Sequence, residues 1–126
     1  MSTNNTIAII GASANRTKYG NKAVRAYQAQ GYAVYPVNPG ADEIEGLKAY
    51  ASVGEIPGEV ETASVYLPPH KTLTVLDDLK AKGVSTIFLN PGSEDETVVA
   101  RADELGLNIV QACSIVSAGR SPGEFV

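Results

Sequence analysis

Five short apolar runs alternate with stretches long enough for helices, and this alternation constrains the fold more than any other feature of the sequence. The runs are Ile7–Ile10, Val34–Val37, Ser64–Leu67, Thr86–Leu89 and Asn108–Gln111. They are nearly continuous in β-branched and aromatic residues, as expected of parallel strands covered on both faces. The helical stretches span roughly 20–30, 70–82 and 94–105 and each closes on a glycine followed by a hydrophobic residue: Gly31-Tyr32, Gly83-Val84 and Gly106-Leu107. Glycine enters the left-handed conformation of a helix C-terminus without a Cβ penalty. Ser93-Glu94-Asp95-Glu96 has the form of a capping box, with Ser93 as the cap. Pro68-Pro69 suits a helix entry, where a missing N–H costs little.

This pattern predicts an α/β protein of one domain over residues 1–126: a doubly wound parallel sheet, Rossmann-like, of about five strands in the order 3-2-1-4-5. Residues 40–62 interrupt the alternation and read as a loop with a short extended piece near Leu47–Ala49 and a single turn near Ser52–Ile56. The turn-rich tail Ser117–Val126 reads as loosely held.

Charge narrows the function classes. Residues 1–41 carry four positive charges (Arg16, Lys18, Lys22, Arg25) and no negative one, whereas residues 42–126 carry six positive and fourteen negative. A net charge of −4 argues against a general nucleic-acid binder, which needs a broad basic surface. A compact anion held near the N-terminal segment fits the asymmetry better. No apolar run approaches the length of a membrane span. The stretch MSTNNT lacks the pattern of a secretion signal, and a single cysteine, Cys113, fits a reducing cytosol, so a cytoplasmic location is expected. Two Asn-x-Thr triplets, at Asn4 and Asn15, read as chance matches.

The turn after the first strand carries the chemistry. In doubly wound sheets ligands bind beyond the carboxyl ends of the strands, where the strand order reverses, and a helix N-terminus there attracts phosphate. The dinucleotide fingerprint G-x-G-x-x-G is altered to Gly11-Ala12-Ser13-Ala14-Asn15-Arg16. A Ser13 hydroxyl still donates to a phosphate oxygen, and Arg16 and Lys18 add charge-assisted bonds. The second strand ends in Asn38 rather than the Asp or Glu that holds a ribose in NAD-binding folds, which suits a ligand with phosphate near its ribose. NADP satisfies that condition as well, so an NADP-linked oxidoreductase or redox sensor stands as an alternative. No Walker A pattern and no metal-ligand spacing is present. His70 reads as solvent-facing, Cys113 as a small buried residue, and Asp77-Asp78 as a solvated helix face.

Taken in order, Gly11-Ala12-Ser13, Pro36-Val37-Asn38-Pro39 and Leu67-Pro68-Pro69 resemble the small stand-alone CoA-binding domain proteins. These are related to the CoA-binding domain of the succinyl-CoA synthetase α subunit and of ADP-forming acyl-CoA synthetases. The resemblance covers roughly residues 6–116, and Ser121-Pro122-Gly123-Glu124 extends it. It implies that Gly11, Ala12 and Ser13, with the loop through Arg16 and Lys18 to Gly20, hold CoA phosphates. It implies further that Val37, Asn38 and Pro39 flank the adenosine, that Leu67, Pro68 and Pro69 line the ligand's path, and that Asn90 and Pro91 sit near the pantetheine arm. The chain departs from the synthetases at Gly40 and Ala41, where they carry a lysine that Lys48 would replace. It departs from many stand-alone members at Phe88-Leu89-Asn90-Pro91-Gly92, where they carry an aromatic-x-Gln-x-Gly stretch. The implied function is non-catalytic binding of coenzyme A or acyl-CoA. A further copy of the chain or a synthetase-like subunit is the partner this admits, and a split acyl-CoA synthetase subunit is a third alternative.

Overall fold

A computed structural model describes residues 5–125; Asn4, the first residue of its triplet, and most of the MSTNNT stretch lie outside the described residues. In chain order the elements are β1 (Thr6–Ile10), α1 (Tyr19–Ala29), β2 (Ala33–Val37), β3 (Glu43–Ile44), β4 (Leu47–Lys48), a 3-10 turn at Val53–Glu55, β5 (Thr62–Val65), α2 (Pro69–Lys82), β6 (Thr86–Leu89), α3 (Glu96–Glu104), β7 (Ile109–Val110), α4 (Ser114–Ser117) and a closing 3-10 turn at Pro122–Phe125. Five strands form one parallel sheet. Successive side chains of a strand point to opposite faces. Accordingly Ala8 and Ile10 pack with Leu76 and Leu79 of α2 and Val98 and Ala102 of α3, while Ile7 and Ile9 pack with Val24 and Tyr27 of α1 and Ile115 of α4. Both faces of the sheet are thus sealed by helices, which is why its strands read as unbroken apolar runs.

The sheet order is β2-β1-β5-β6-β7. In the numbering of the five apolar runs this is 2-1-3-4-5, which corrects the expected 3-2-1-4-5. Pro36 holds the reason. Its carbonyl accepts from the Tyr50 amide on the outer side of β2 (2.9 Å), so its missing N–H faces the same side. Proline belongs on edge strands. The outer edge of β2 is capped by a single parallel bridge, Val37 to Tyr50, and the chain crosses back to the open edge of β1. The order therefore reverses between β1 and β5.

Smaller expectations shift as well. The third strand lies two residues earlier than expected, at Thr62–Val65, and the fifth shortens to Ile109–Val110. The cap of α3 is Asp95, whose carboxylate accepts from the Val98 amide (2.9 Å); Ser93 instead donates its hydroxyl to the Asn90 carbonyl (2.6 Å). Residues 43–48 form a hairpin on a two-residue turn, with Glu45 at φ 51° and Gly46 at φ 78°, the geometry of the tightest hairpin loops. The tail is held rather than loose: the Phe125 carbonyl accepts from Arg25 (2.5 Å), and the Arg25 and Arg120 guanidinium groups lie over the Phe125 ring.

Candidate functional site

Beyond the carboxyl ends of β1, β2 and β5 lies a cleft of about 810 Å³, at the point where the strand order reverses. Its floor is the turn Gly11–Ser13. The Gly11 amide donates to the Val37 carbonyl (3.1 Å), and the Tyr66 amide donates to the Ile10 carbonyl (2.8 Å), so the turn is stitched to both neighbouring strands. Gly11 sits at φ +89°, and a Cβ there would stand 2.5 Å from the Tyr66 carbonyl oxygen. Gly20, in the first turn of α1, lies so close that a Cβ would collide with the Gly11 carbonyl oxygen. The two glycines let the helix start press against the end of β1. They fill two of the three roles glycines play in dinucleotide folds, the tight turn and the close helix–strand packing, over a longer loop.

That helix start is open. Lys18 occupies the cap position, no side chain caps α1, and no acidic residue lies in its first turn. The first amides of a helix have no intrahelical partner, and the dipole is positive there. The loop before it is stiffened internally. Ser13 Oγ accepts from the Asn15 amide (3.0 Å), which leaves the hydroxyl proton free to donate, and the Asn15 side chain accepts from the Thr17 amide (3.0 Å) and hydroxyl (2.7 Å).

The walls come from β2, β5 and α2. Val37, Asn38 and Pro39 line one side, Tyr66 and Leu67 the other, and Ala51 to Val53 close the end nearest the 3-10 turn. Asn38 serves the scaffold: its amide donates to the Ala12 carbonyl (2.8 Å) while its side-chain oxygen accepts from the Gly40 amide (2.7 Å). It ties the end of β2 to the floor and leaves the wall without charge. Lysines approach from two elements, Lys18 from the start of α1 and Lys71 from the first turn of α2.

The surroundings of this cleft match a known family, whose pattern, described as a CoA binding domain, spans residues 5–119. The chain belongs to the CoA binding domain family. It is 39% identical over 92 residues to the α subunit of an ADP-forming acetate–CoA ligase II from Pyrococcus furiosus, a match covering 72% of this chain and 20% of the ligase subunit. The chain thus spans about a fifth of the length of that curated relative. Among solved structures, a conserved hypothetical protein from Pyrococcus furiosus superposes with a TM-score of 0.82 at 36% identity, covering 89% of this chain and 97% of that one. The dinucleotide-forming acetyl-coenzyme A synthetase 1 of Ca. Korarchaeum cryptofilum superposes with a TM-score of 0.75 at 34% identity, covering 86% of this chain and 26% of the synthetase.

In this CoA binding domain nine of the sequence-derived candidates meet in the cleft: Gly11, Ala12, Ser13, Lys18, Gly20, Val37, Asn38, Pro39 and Leu67. Six stand outside its lining. Arg16 pairs with Glu45 of the hairpin (3.4 Å), and Lys48 lies over the Tyr50 ring. Pro68 and Pro69 form the entry to α2, Pro68 being exposed. Pro91 is exposed past β6. Asn90 is buried, and both its N–H donors are engaged: it donates to Ser64 Oγ and the Val65 carbonyl and accepts from the Ser114 amide, each at 2.8 Å. It locks α4 to two strands and has no N–H left to donate to a ligand.

The expected cradle of four cations shrinks accordingly. Lys18 alone of the four lines the cleft. Arg25 donates to Asn21, Arg16 and Phe125, and Lys22 lies over the Tyr19 ring. The acid-free N-terminal segment acquires an acid in three dimensions, because Glu45 accepts from Asn21 (2.9 Å) and pairs with Arg16. Buried Asn21 also donates to the Ser13 carbonyl (2.9 Å) and Arg25 to the Arg16 carbonyl (2.8 Å), so these two residues brace the loop from behind.

The sequence reading missed Tyr19, Tyr66, Lys71, Thr74, Val75 and Asp78, all of which line the cleft. The α2 residues recur at the i, i+3, i+4, i+7 spacing of one helical stripe, which is the signal that could have found them. The acidic pair on α2 divides: Asp77 bonds Arg101 of α3 (2.9 Å), while Asp78 faces the cleft. The Tyr66 hydroxyl pairs with Ser114 Oγ (3.1 Å), and burial pushes its phenol up to about 12.

Proposed function

We propose that this chain binds coenzyme A or an acyl-CoA in the cleft and does not itself transform it. One observation carries the reading: a turn stripped of side-chain bulk by Gly11 and Gly20, at an uncapped helix start, approached by Lys18 and Lys71 from separate elements. Such a floor suits a pyrophosphate, whose oxygens take backbone N–H groups, and the two ammonium groups suit its charge. Membership of the CoA binding domain family and the names of the ligase and synthetase relatives support CoA over NADP. Those relatives are several times longer than this chain. Carrying or sensing CoA, or handing it to a synthetase-like partner chain, is the role this reading assigns.

Titration calorimetry with CoA, acetyl-CoA, dephospho-CoA and NADPH tests the reading. Binding of the CoA species that weakens steeply with added salt is the expected result. No heat with CoA or acetyl-CoA at millimolar ligand refutes it, and tighter binding of NADPH than of CoA would transfer the cleft to a redox role.

A further inference from the structure

The cleft carries its charges at separate places along α2. Lys71 lies in the first turn of that helix, just past Tyr66 and Leu67. Asp78 lies seven residues on, which at 1.5 Å per residue places it about 10 Å further along the same stripe. Helix α2 packs against the 3-10 turn Val53–Glu55, and Lys82 in its last turn donates to the Ile56 carbonyl just past it. Among the described residues that line the cleft, Asp78 is the only carboxylate. It takes no part in an ion pair among the described residues, whereas its neighbour Asp77 is held by Arg101. Val53 and Val75 supply apolar lining in this part of the cleft, and Ser52 and Thr74 are the uncharged polar groups beside them.

A carboxylate at this place repels a phosphate and accepts from a donor. Uncharged walls that include Val53 and Val75, with a single carboxylate, fit a flat heterocycle bearing an exocyclic amine. We propose that Asp78 is a specificity residue that reads the base of the bound nucleotide by accepting a hydrogen bond from the amino group of adenine. The assignment rests on the CoA reading above and deepens it. The ligand then runs from a phosphate end at Gly11–Ser13, Lys18 and Lys71 to a base end at Asp78. A base with a carbonyl in place of the amine presents lone pairs to the carboxylate and is turned away.

The test compares CoA with deaminated CoA, in which hypoxanthine replaces adenine, on wild-type protein, Asp78→Ala and Asp78→Asn. Melting curves accompany each titration, and the exposed position of Asp78 predicts that both variants fold. A hydrogen bond to a charged group changes affinity by roughly tenfold or more. Wild-type protein is expected to bind CoA about tenfold more tightly than deaminated CoA, Asp78→Ala to bind CoA about tenfold more weakly and to lose the preference, and Asp78→Asn, whose amide also donates, to accept both bases. Tighter CoA binding by Asp78→Ala would mean that the carboxylate faces a phosphate and would overturn the assignment. An unchanged preference in Asp78→Ala would overturn it too, while leaving the CoA reading intact. Absence of CoA binding by wild-type protein would overturn both.

Discussion

Replacing Gly20 with alanine sets two effects of known size against each other. Alanine is the better helix former by about 1 kcal/mol, so propensity alone predicts stabilisation. The contacts predict the reverse. The new Cβ would collide with the Gly11 carbonyl oxygen and stand 3.2 Å from the Gly11 carbonyl carbon and 3.3 Å from Ala12 Cα. All three are backbone atoms, so no rotamer relieves the clash. The turn is itself pinned, by the Gly11 amide to Val37 and by the Asn38 side chain to Ala12, so α1 must move instead. Overpacking costs about 1–3 kcal/mol, occasionally more; with backbone atoms at every close contact the cost falls in the upper part of that range, about 2–3 kcal/mol, and wins. A net loss of about 1–2 kcal/mol lowers Tm by roughly 5 °C in a domain of this size. CoA affinity should fall further than stability, because the start of α1 is levered away from the floor. Urea unfolding and CoA titration measure the two effects. Gly31→Ala is the control: Gly31, unlike Gly20, has positive φ, so alanine strains the backbone there, but nothing lies within 4 Å of its missing Cβ, so binding should survive. A Gly20→Ala protein that melts at or above the wild type and binds normally would refute the close-approach reasoning.

Other perturbations separate scaffold from site. Lys18→Glu and Lys71→Glu should each weaken CoA binding at least tenfold with little change in Tm, whereas Lys48→Ala should alter affinity less than twofold; equal losses at all three would refute the cleft's assignment. Asn90→Ala strips partners from Ser64, the Val65 carbonyl and the Ser114 amide and should cost about 3 kcal/mol, read by denaturant melts; a near-neutral result would show that the buried network is dispensable. Burial pushes the Tyr27 phenol up to about 12, while in the unfolded chain it titrates near 10. The folded state therefore keeps a proton that the unfolded state releases. Stability from this group is fully present below pH 10 and is lost as pH rises from 10 to 12, by roughly 2 kcal/mol. Urea melts at pH 8, 10 and 11 should show the decline, and Tyr27→Phe should reduce its slope; a slope identical in the variant would refute the assignment.

The class of fold was legible because parallel strands sealed on both faces must be apolar at every position, and helices that stop must stop on something, here Gly31, Gly83 and Gly106. The turn Gly11–Ser13 was legible for a similar reason: tight backbone geometry demands particular residues, and those demands are written locally. Strand order was legible only in part. Pro36 marks β2 as an edge strand, but only once the direction of its carbonyl is known.

Charge was read least well, since its effect depends on distances that the chain sets only by folding. Arg16, Lys22 and Arg25 are neighbours of Lys18 in sequence, yet they end at Glu45, the Tyr19 ring and Phe125, because side chains pair with whatever the fold brings near. Lys71 and Asp78, far along the chain, enter the cleft because α2 starts where β5 ends. Local conformational demands were therefore determined by the sequence itself, and the electrostatics of the cleft were decided by tertiary structure. Backbone strain acts within a few residues, whereas a charge acts on whatever comes within reach across the fold.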